Sequence, residues 1–138
     1  MKEQSMKPCS ILIVEDHPLQ HLYLHHLFSE LGEFHLESAR DGEEALAHLK
    51  KNEFDLVLTD LLMPRMDGVA ATRAIRALDG PVSRTPIIAL TANADPDDVR
   101  SYLEAGMNDV VEKPIKAERM LIALQAALDG VDDQSAAA

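Results

Sequence analysis

The sequence predicts a doubly wound α/β fold: a parallel sheet with helices on both faces. Three observations predict it. The apolar runs Ile11–Val14, Leu56–Leu58 and Ile87–Leu90 have no polar interruption, as in strands buried on both faces. Between them lie stretches with apolar residues at helical spacing, several opened by Asp or Pro and closed by Gly. Strand and helix alternate five times within 138 residues, a length that fits one domain, with no internal repeat.

Residues 1–8 are polar and are expected to form a flexible tail, with the folded domain over residues 9–128. Ser10–Val14 contains three β-branched residues and runs into the adjacent acids Glu15 and Asp16. His17-Pro18 opens a helix, with proline suited to its first turn. Leu24, Leu27, Phe28 and Leu31 share one face of that helix, and Gly32 closes it. Phe34–Ala39 alternates and reads as an edge strand. Asp41 and Glu44 have the spacing of a capping box for a helix that presents Ala45, Leu46 and Leu49 and ends near Asn52. The run Leu56–Thr59 then stops in a single carboxylate, Asp60.

Pro64–Gly68 is a turn cluster, within and beside which Met63 and Met66 read as packing residues. A helix follows from about Val69 to Leu78, ahead of Gly80-Pro81. Thr85–Thr91 is a buried strand with a hydroxyl at its end. Asp95-Pro96-Asp97-Asp98 is a helix start with Asp95 as N-cap, and Val99, Tyr102 and Leu103 are expected to face inward before Gly106. Met107–Glu112 is a fifth strand, closed by Lys113-Pro114. The last helix carries Ala117, Leu121, Leu124 and Leu128 on one stripe, and residues 129–138 are expected to be a flexible acidic, alanine-ended tail. Five such units most simply form a flavodoxin-like (βα)5 sheet in the order 2-1-3-4-5 with right-handed crossovers.

Composition excludes several classes. The formal charge of −11, from 24 acids against 13 bases, opposes direct nucleic acid binding, which depends on clustered Lys and Arg. A single cysteine, Cys9, allows no intrachain disulfide and suits a reducing compartment. No apolar run reaches the ~18–20 residues that cross a bilayer, and the first residues lack the apolar core of a signal peptide. No membrane contact and a cytoplasmic location are expected.

In that strand order the polar residues at the strand ends converge. They are Glu15 and Asp16, Asp60, Thr91 and Lys113. Each has an ordinary reading by itself, as a turn, a cap or a solvated charge, but together they form a site. Three carboxylates on one rim repel and would take up protons unless a cation is present. Oxygen ligands in such a set suit Mg²⁺, or Mn²⁺. A lysine, a hydroxyl and a lone carboxylate beside a metal are the parts of phosphoryl transfer, with Asp60 as nucleophile.

The stretches Ile11–Asp16, Asp60–Gly68, Ala89–Ala92 and Lys113-Pro114 carry a clear likeness. Over roughly residues 9–128 the chain resembles a response-regulator receiver domain of two-component signalling, closest in pattern to receivers of hybrid histidine kinases. The resemblance implies that Asp60 accepts a phosphoryl group from a histidine kinase or histidine phosphotransfer protein. It implies Glu15, Asp16, Asp60 and the Leu62 backbone carbonyl around a Mg²⁺ ion, with Glu15 acting through water. It implies that Thr91, Ala92 and Lys113 bind the phosphoryl group, that the Lys113-Pro114 bond is cis, and that Leu62 and Asn93 tune dephosphorylation. An apolar Leu62 cannot orient water, so slow self-dephosphorylation is expected. Val110 occupies the position where the family commonly has an aromatic switch, so output is expected through the Thr91–Asp95 loop and the helix after it.

The chain is therefore expected to be a phosphoacceptor that assists its own phosphorylation rather than an enzyme, a monomer or weak homodimer, and to carry no output domain. It could equally be a receiver module of a hybrid histidine kinase. An aspartyl phosphohydrolase would want an acid where Leu62 stands. A flavin module would want a Ser/Thr/Gly-rich loop where Glu15–Pro18 stands. His21 and His25 lie one helical turn apart, the spacing of a metal pair, but His17, His25 and His26 read as a solvated face.

Overall fold

The computed structural model describes residues 9–61 and 67–137, with side-chain surroundings through residue 129. In chain order these form β1 (Cys9–Val14), α1 (Pro18–Leu31), β2 (Phe34–Ala39), α2 (Gly42–Lys51), β3 (Leu56–Asp60) and α3 (Gly68–Arg76). A 3-10 helix at Pro81–Arg84 follows, then β4 (Ile87–Thr91), α4 (Pro96–Ala105), β5 (Asp109–Glu112) and α5 (Ala117–Ala137). Every pairing is parallel and the order is β2-β1-β3-β4-β5, the predicted flavodoxin-like arrangement.

Alternation of side chains along each strand divides the core in two. Ile11, Ile13, Leu58, Leu90 and Val111 pack with α1 and α5. Leu12, Val14, Val57, Ala89 and Val110 pack with α2, α3 and the inner side of α4. All of β3 and β4 is buried, which explains their uninterrupted apolar runs. The register sets Val14 beside Thr59, Asp60 beside Leu90, and Thr91 beside Glu112. The strand ends that carry the polar residues therefore finish level, on one rim.

Several local expectations change. The helix α3 begins at Gly68 with Asp67 as its N-cap, accepting from the Ala70 N–H at 2.9 Å, and it ends at Arg76 rather than Leu78. Asp41 accepts from the Glu44 N–H at 3.0 Å as expected, but the Glu44 carboxylate returns to the Arg40 N–H at 2.9 Å, one residue before the cap. Asp95 makes no side-chain cap bond. Instead Asn93 Oδ1 accepts from the Asp95 N–H at 3.2 Å, an Asx turn that orders the approach to α4. Leu103, expected inside, is 45% exposed, because α4 buries only Ala105 fully and rests on half-buried Val99 and Tyr102. In α5 the buried stripe is Met120, Ala123, Leu124 and Ala127, with Leu121 exposed. Leu124 faces inward as expected and Ala117 packs against the same cluster, while Met120, Ala123 and Ala127 complete the face. The helix α5 also continues past Leu128 to Ala137, through a stretch with no proline to stop it.

One side chain ties the α3, β4 and α4 ends together. Arg76 donates from Nε and Nη2 to the Gly106 carbonyl at 3.0 and 2.7 Å, and from Nη1 to the carbonyls of Ser83 and Thr85 at 2.9 and 2.8 Å. Nη2 also reaches Asn108 Oδ1 at 2.9 Å, so all five guanidinium N–H groups are engaged. Asn108 Oδ1 in turn accepts from the Ile87 N–H at 2.8 Å. Gly106 has φ 118°, and a Cβ there would lie 2.9 Å from Arg76 Cγ, so neither residue can be exchanged freely.

A lysine offers one donor group in place of this planar fork. Arg76→Lys is expected to lower unfolding free energy by roughly 2–3 kcal/mol in urea denaturation. A variant as stable as the parent would contradict this account of the hub.

Candidate functional site

The rim above β1, β3 and β5 holds the site. The Glu15 N–H donates to the Ala39 carbonyl at 2.9 Å, extending strand pairing one residue past β1. Glu15 is consequently drawn in, at 2% exposure. Its Oε2 accepts from the His17 N–H at 3.1 Å, while Oε1 is buried without a hydrogen-bond partner. Burial, and next the Asp60 carboxylate beside it, push the Glu15 carboxyl up to about 8. Asp16 stands outside, exposed to solvent.

Asp60 ends the central strand and is almost wholly buried. Lys113 Nζ donates to its Oδ2 at 2.7 Å. Lys113 directly follows β5, two strands away, and its own N–H donates to the Thr91 carbonyl at 2.7 Å, which fixes where the side chain starts. The Lys113-Pro114 bond is cis, as the resemblance implied. Behind Asp60, Gly68 makes close approach possible: a Cβ there would lie 2.7 Å from the Asp60 carbonyl oxygen. By its place in the sequence Gly68 is only a turn residue.

Glu15, Asp16, Asp60 and Lys113 line one cleft of about 330 Å³, together with His17, Leu19 and Gln20. The last three were not foreseen. The available signal was Leu19 and Leu22, two large apolar residues off the buried stripe of α1, which are 70% and 67% exposed. His17 caps α1, its Nδ1 accepting from the Leu19 N–H at 3.3 Å.

Thr91 is buried at the end of β4, but its hydroxyl serves its own loop, donating to the Asn93 carbonyl at 3.0 Å and accepting from the Asn93 N–H at 3.1 Å. Ala92 and Asn93 are exposed in that loop. Leu62, expected as a metal ligand through its carbonyl and as a tuning residue, lies outside the described residues, as do Met63 and Met66. Val110 is buried in the α2–α3–α4 cluster, against which Tyr102 of α4 packs. His21 bonds the Glu15 backbone carbonyl and lies 3.3 Å from Ser38 Oγ, so its ring serves the β1–α1–β2 junction.

Among the described residues no three His, Cys, Asp or Glu side chains are gathered closely enough to form a ready metal cage. The donor set nevertheless fits a hard divalent cation that keeps waters: a buried carboxylate oxygen without a partner, a second buried carboxylate, and an exposed one at the mouth. No helix of the described residues is long and apolar enough to cross a membrane.

The raised Glu15 carboxyl has a sign that can be tested. Folded chains hold a proton there that unfolded chains have lost, so this stabilisation is present below about pH 4.5 and is lost as pH rises through about 8. A cation must displace the same proton. The Mg²⁺-induced rise in melting temperature is therefore expected to grow between about pH 5 and pH 8, and to grow less in Glu15→Gln. Equal Mg²⁺ shifts across that range would contradict the assignment.

Comparison with known proteins agrees with this geometry. Residues 11–125 match the response regulator receiver domain family. The chain is 40% identical over 105 residues to the sensor histidine kinase RcsC of Escherichia coli K12, and 40% identical over 113 residues to the sensor protein GacS of Pseudomonas syringae. These alignments cover 76% and 80% of the chain but only 11% and 12% of those proteins. Among solved structures, the signal receiver domain of a Syntrophus aciditrophicus histidine kinase is 38% identical with a TM-score of 0.78, covering 89% of this chain and 92% of that one. The receiver domain of the Pseudomonas aeruginosa sensor histidine kinase PA1611, solved with a magnesium ion in its active-site cleft, is 36% identical with a TM-score of 0.80, over 89% and 99% of the two chains. A level rim of acids with a lysine reaching across it, on a 2-1-3-4-5 sheet, thus coincides with a family match over most of the sequence, and the chain belongs to the response regulator receiver domain family of two-component signalling.

Proposed function

We propose that this chain receives a phosphoryl group on Asp60 from a phosphohistidine of a histidine kinase or histidine phosphotransfer protein. The observation that carries the reading is the 2.7 Å contact of Lys113 with a nearly buried Asp60, beside a buried Glu15. A carboxylate oxygen of Asp60 attacks phosphorus, the P–N bond to the donor imidazole breaks, and the imidazole leaves with its electron pair. Lys113 is near enough to transfer its hydrogen bond from the carboxylate to the incoming phosphoryl oxygens. Glu15, Asp16 and Asp60 would hold Mg²⁺ or Mn²⁺, together with the Leu62 carbonyl. The ion, when bound, offsets charge on the phosphoryl oxygens. Thr91 and Ala92 would meet the remaining oxygens once the Thr91 hydroxyl leaves Asn93, and Asn93 and Leu62 would set the access of water.

The donor's docking surface is proposed to be the start of α1, where Leu19 and Leu22 are exposed beside the cleft. Output is proposed to run through the loop from Thr91 to Asp95 and the lightly seated α4, with Val110 in the place of an aromatic relay. The cytoplasm is the proposed location, and a monomer or weak homodimer the proposed state. Whether as one module of a hybrid kinase or separately, the chain acts as a switch, not as an enzyme with a released product.

Incubation with acetyl phosphate and Mg²⁺ is expected to add one phosphoryl group by intact mass, and none to Asp60→Ala. Leu22→Asp, outside the cleft lining, is expected to accept from acetyl phosphate at the parent rate but slowly from a phosphohistidine protein. No gain in the parent, or a gain retained in Asp60→Ala, would overturn the reading.

A further inference from the structure

Lys113 does its work only if the segment that follows it is held. Its N–H is on the Thr91 carbonyl, and Pro114 has no N–H to offer. The next residue, Ile115, buries its side chain among α1 and α5 residues. The Ile115 carbonyl accepts a hydrogen bond from the hydroxyl of Tyr23, which arrives from α1. This bond joins the helix beside the cleft to the segment that carries the lysine.

Tyr23 is 43% exposed, and it lies one helical turn after Leu19, the exposed residue that lines the cleft. Leu19 and Tyr23 therefore form a ridge with one end at the Asp60 cleft and the other on the Lys113 segment. A protein that covers Leu19 also dries the Tyr23 phenol, and a hydrogen bond removed from water is stronger.

We propose that Tyr23 is a positioning residue for phosphoryl transfer: it holds the Ile115 carbonyl, so fixing the reach of Lys113 toward Asp60, and tightens when a phosphodonor protein covers α1. This rests on the reading of Asp60 as phosphoacceptor. The step itself is unchanged, with the donor P–N bond broken and the Asp60 O–P bond formed.

The test is Tyr23→Phe, which removes one hydroxyl and keeps the ring. Phosphorylation by acetyl phosphate at saturating Mg²⁺ is expected to slow roughly three- to tenfold, the scale of one lost hydrogen bond. The Mg²⁺ concentration for half-maximal rate is expected to stay the same, because the carboxylates are untouched. In a Lys113→Ala background the Tyr23→Phe change is expected to have no further effect on the residual rate, since both act through one group. With a phosphohistidine protein as donor the loss is expected to be larger than with acetyl phosphate. A Tyr23→Phe rate equal to the parent's, or a loss that simply multiplies with that of Lys113→Ala, overturns the positioning role while leaving Asp60 in place. Failure of the parent itself to gain a phosphoryl group overturns both readings together.

Discussion

The ion pair between Asp60 and Lys113 is the constraint on which the rest depends. A carboxylate almost withdrawn from water is tolerable only with a compensating charge or bonds. Here the compensation crosses from β5, over the end of β4, to β3. That reach requires the strands to end level, and the parallel register supplies this. It also requires the backbone of Asp60 to sit against the start of α3, where Gly68 leaves room that any Cβ would fill. The pair is asymmetric. Lys113 retains contact with solvent while Asp60 retains little, so the lysine can change partners at low cost and the carboxylate cannot.

Glu15 adds the second half of the device. It is buried beside Asp60, and burial together with that neighbouring carboxylate pushes its carboxyl up to about 8. Asp16, outside in solvent, adds charge without adding burial. On the far side of the rim, the Thr91 hydroxyl closes a tight turn with Asn93, and Asn93 closes the next with Asp95. The loop is thus built from short-range bonds that can be exchanged, and the helix it leads into has few deep contacts. Arg76 and Gly106, by contrast, pin the other end of α4. Arg76 holds the Gly106 end of this helix, whereas Asp95 at its start makes no side-chain cap bond.

Much of this was legible in the residues. Strand order, element types and the meeting of Glu15, Asp16, Asp60 and Lys113 in one cleft follow from apolar runs that stop in polar residues. What escaped was set by tertiary packing. On α5, Leu124 faces inward as its spacing indicates, but Leu121 is exposed and Met120, Ala123 and Ala127 take the rest of the buried face. Leu103 follows helical period yet lies outside, because α4 touches the sheet along a narrow strip. Gly68 looked like a turn residue, and only the nearness of the Asp60 carbonyl reveals why a side chain is excluded. Tyr23 and Arg76 act across long stretches of sequence, through backbone carbonyls that no motif encodes.

The central claim is that Asp60 takes the phosphoryl group while Lys113 and Thr91 exchange their present partners for it. A crystal structure with Mg²⁺ and beryllofluoride, a phosphoryl mimic, tests this most directly. The account predicts beryllium bonded to an Asp60 oxygen, Lys113 Nζ and the Thr91 hydroxyl each on a fluorine, and the loop from Thr91 to Asp95 moved inward. Beryllofluoride absent from Asp60, or bound there with Lys113 still on the carboxylate and Thr91 still on Asn93, would contradict it.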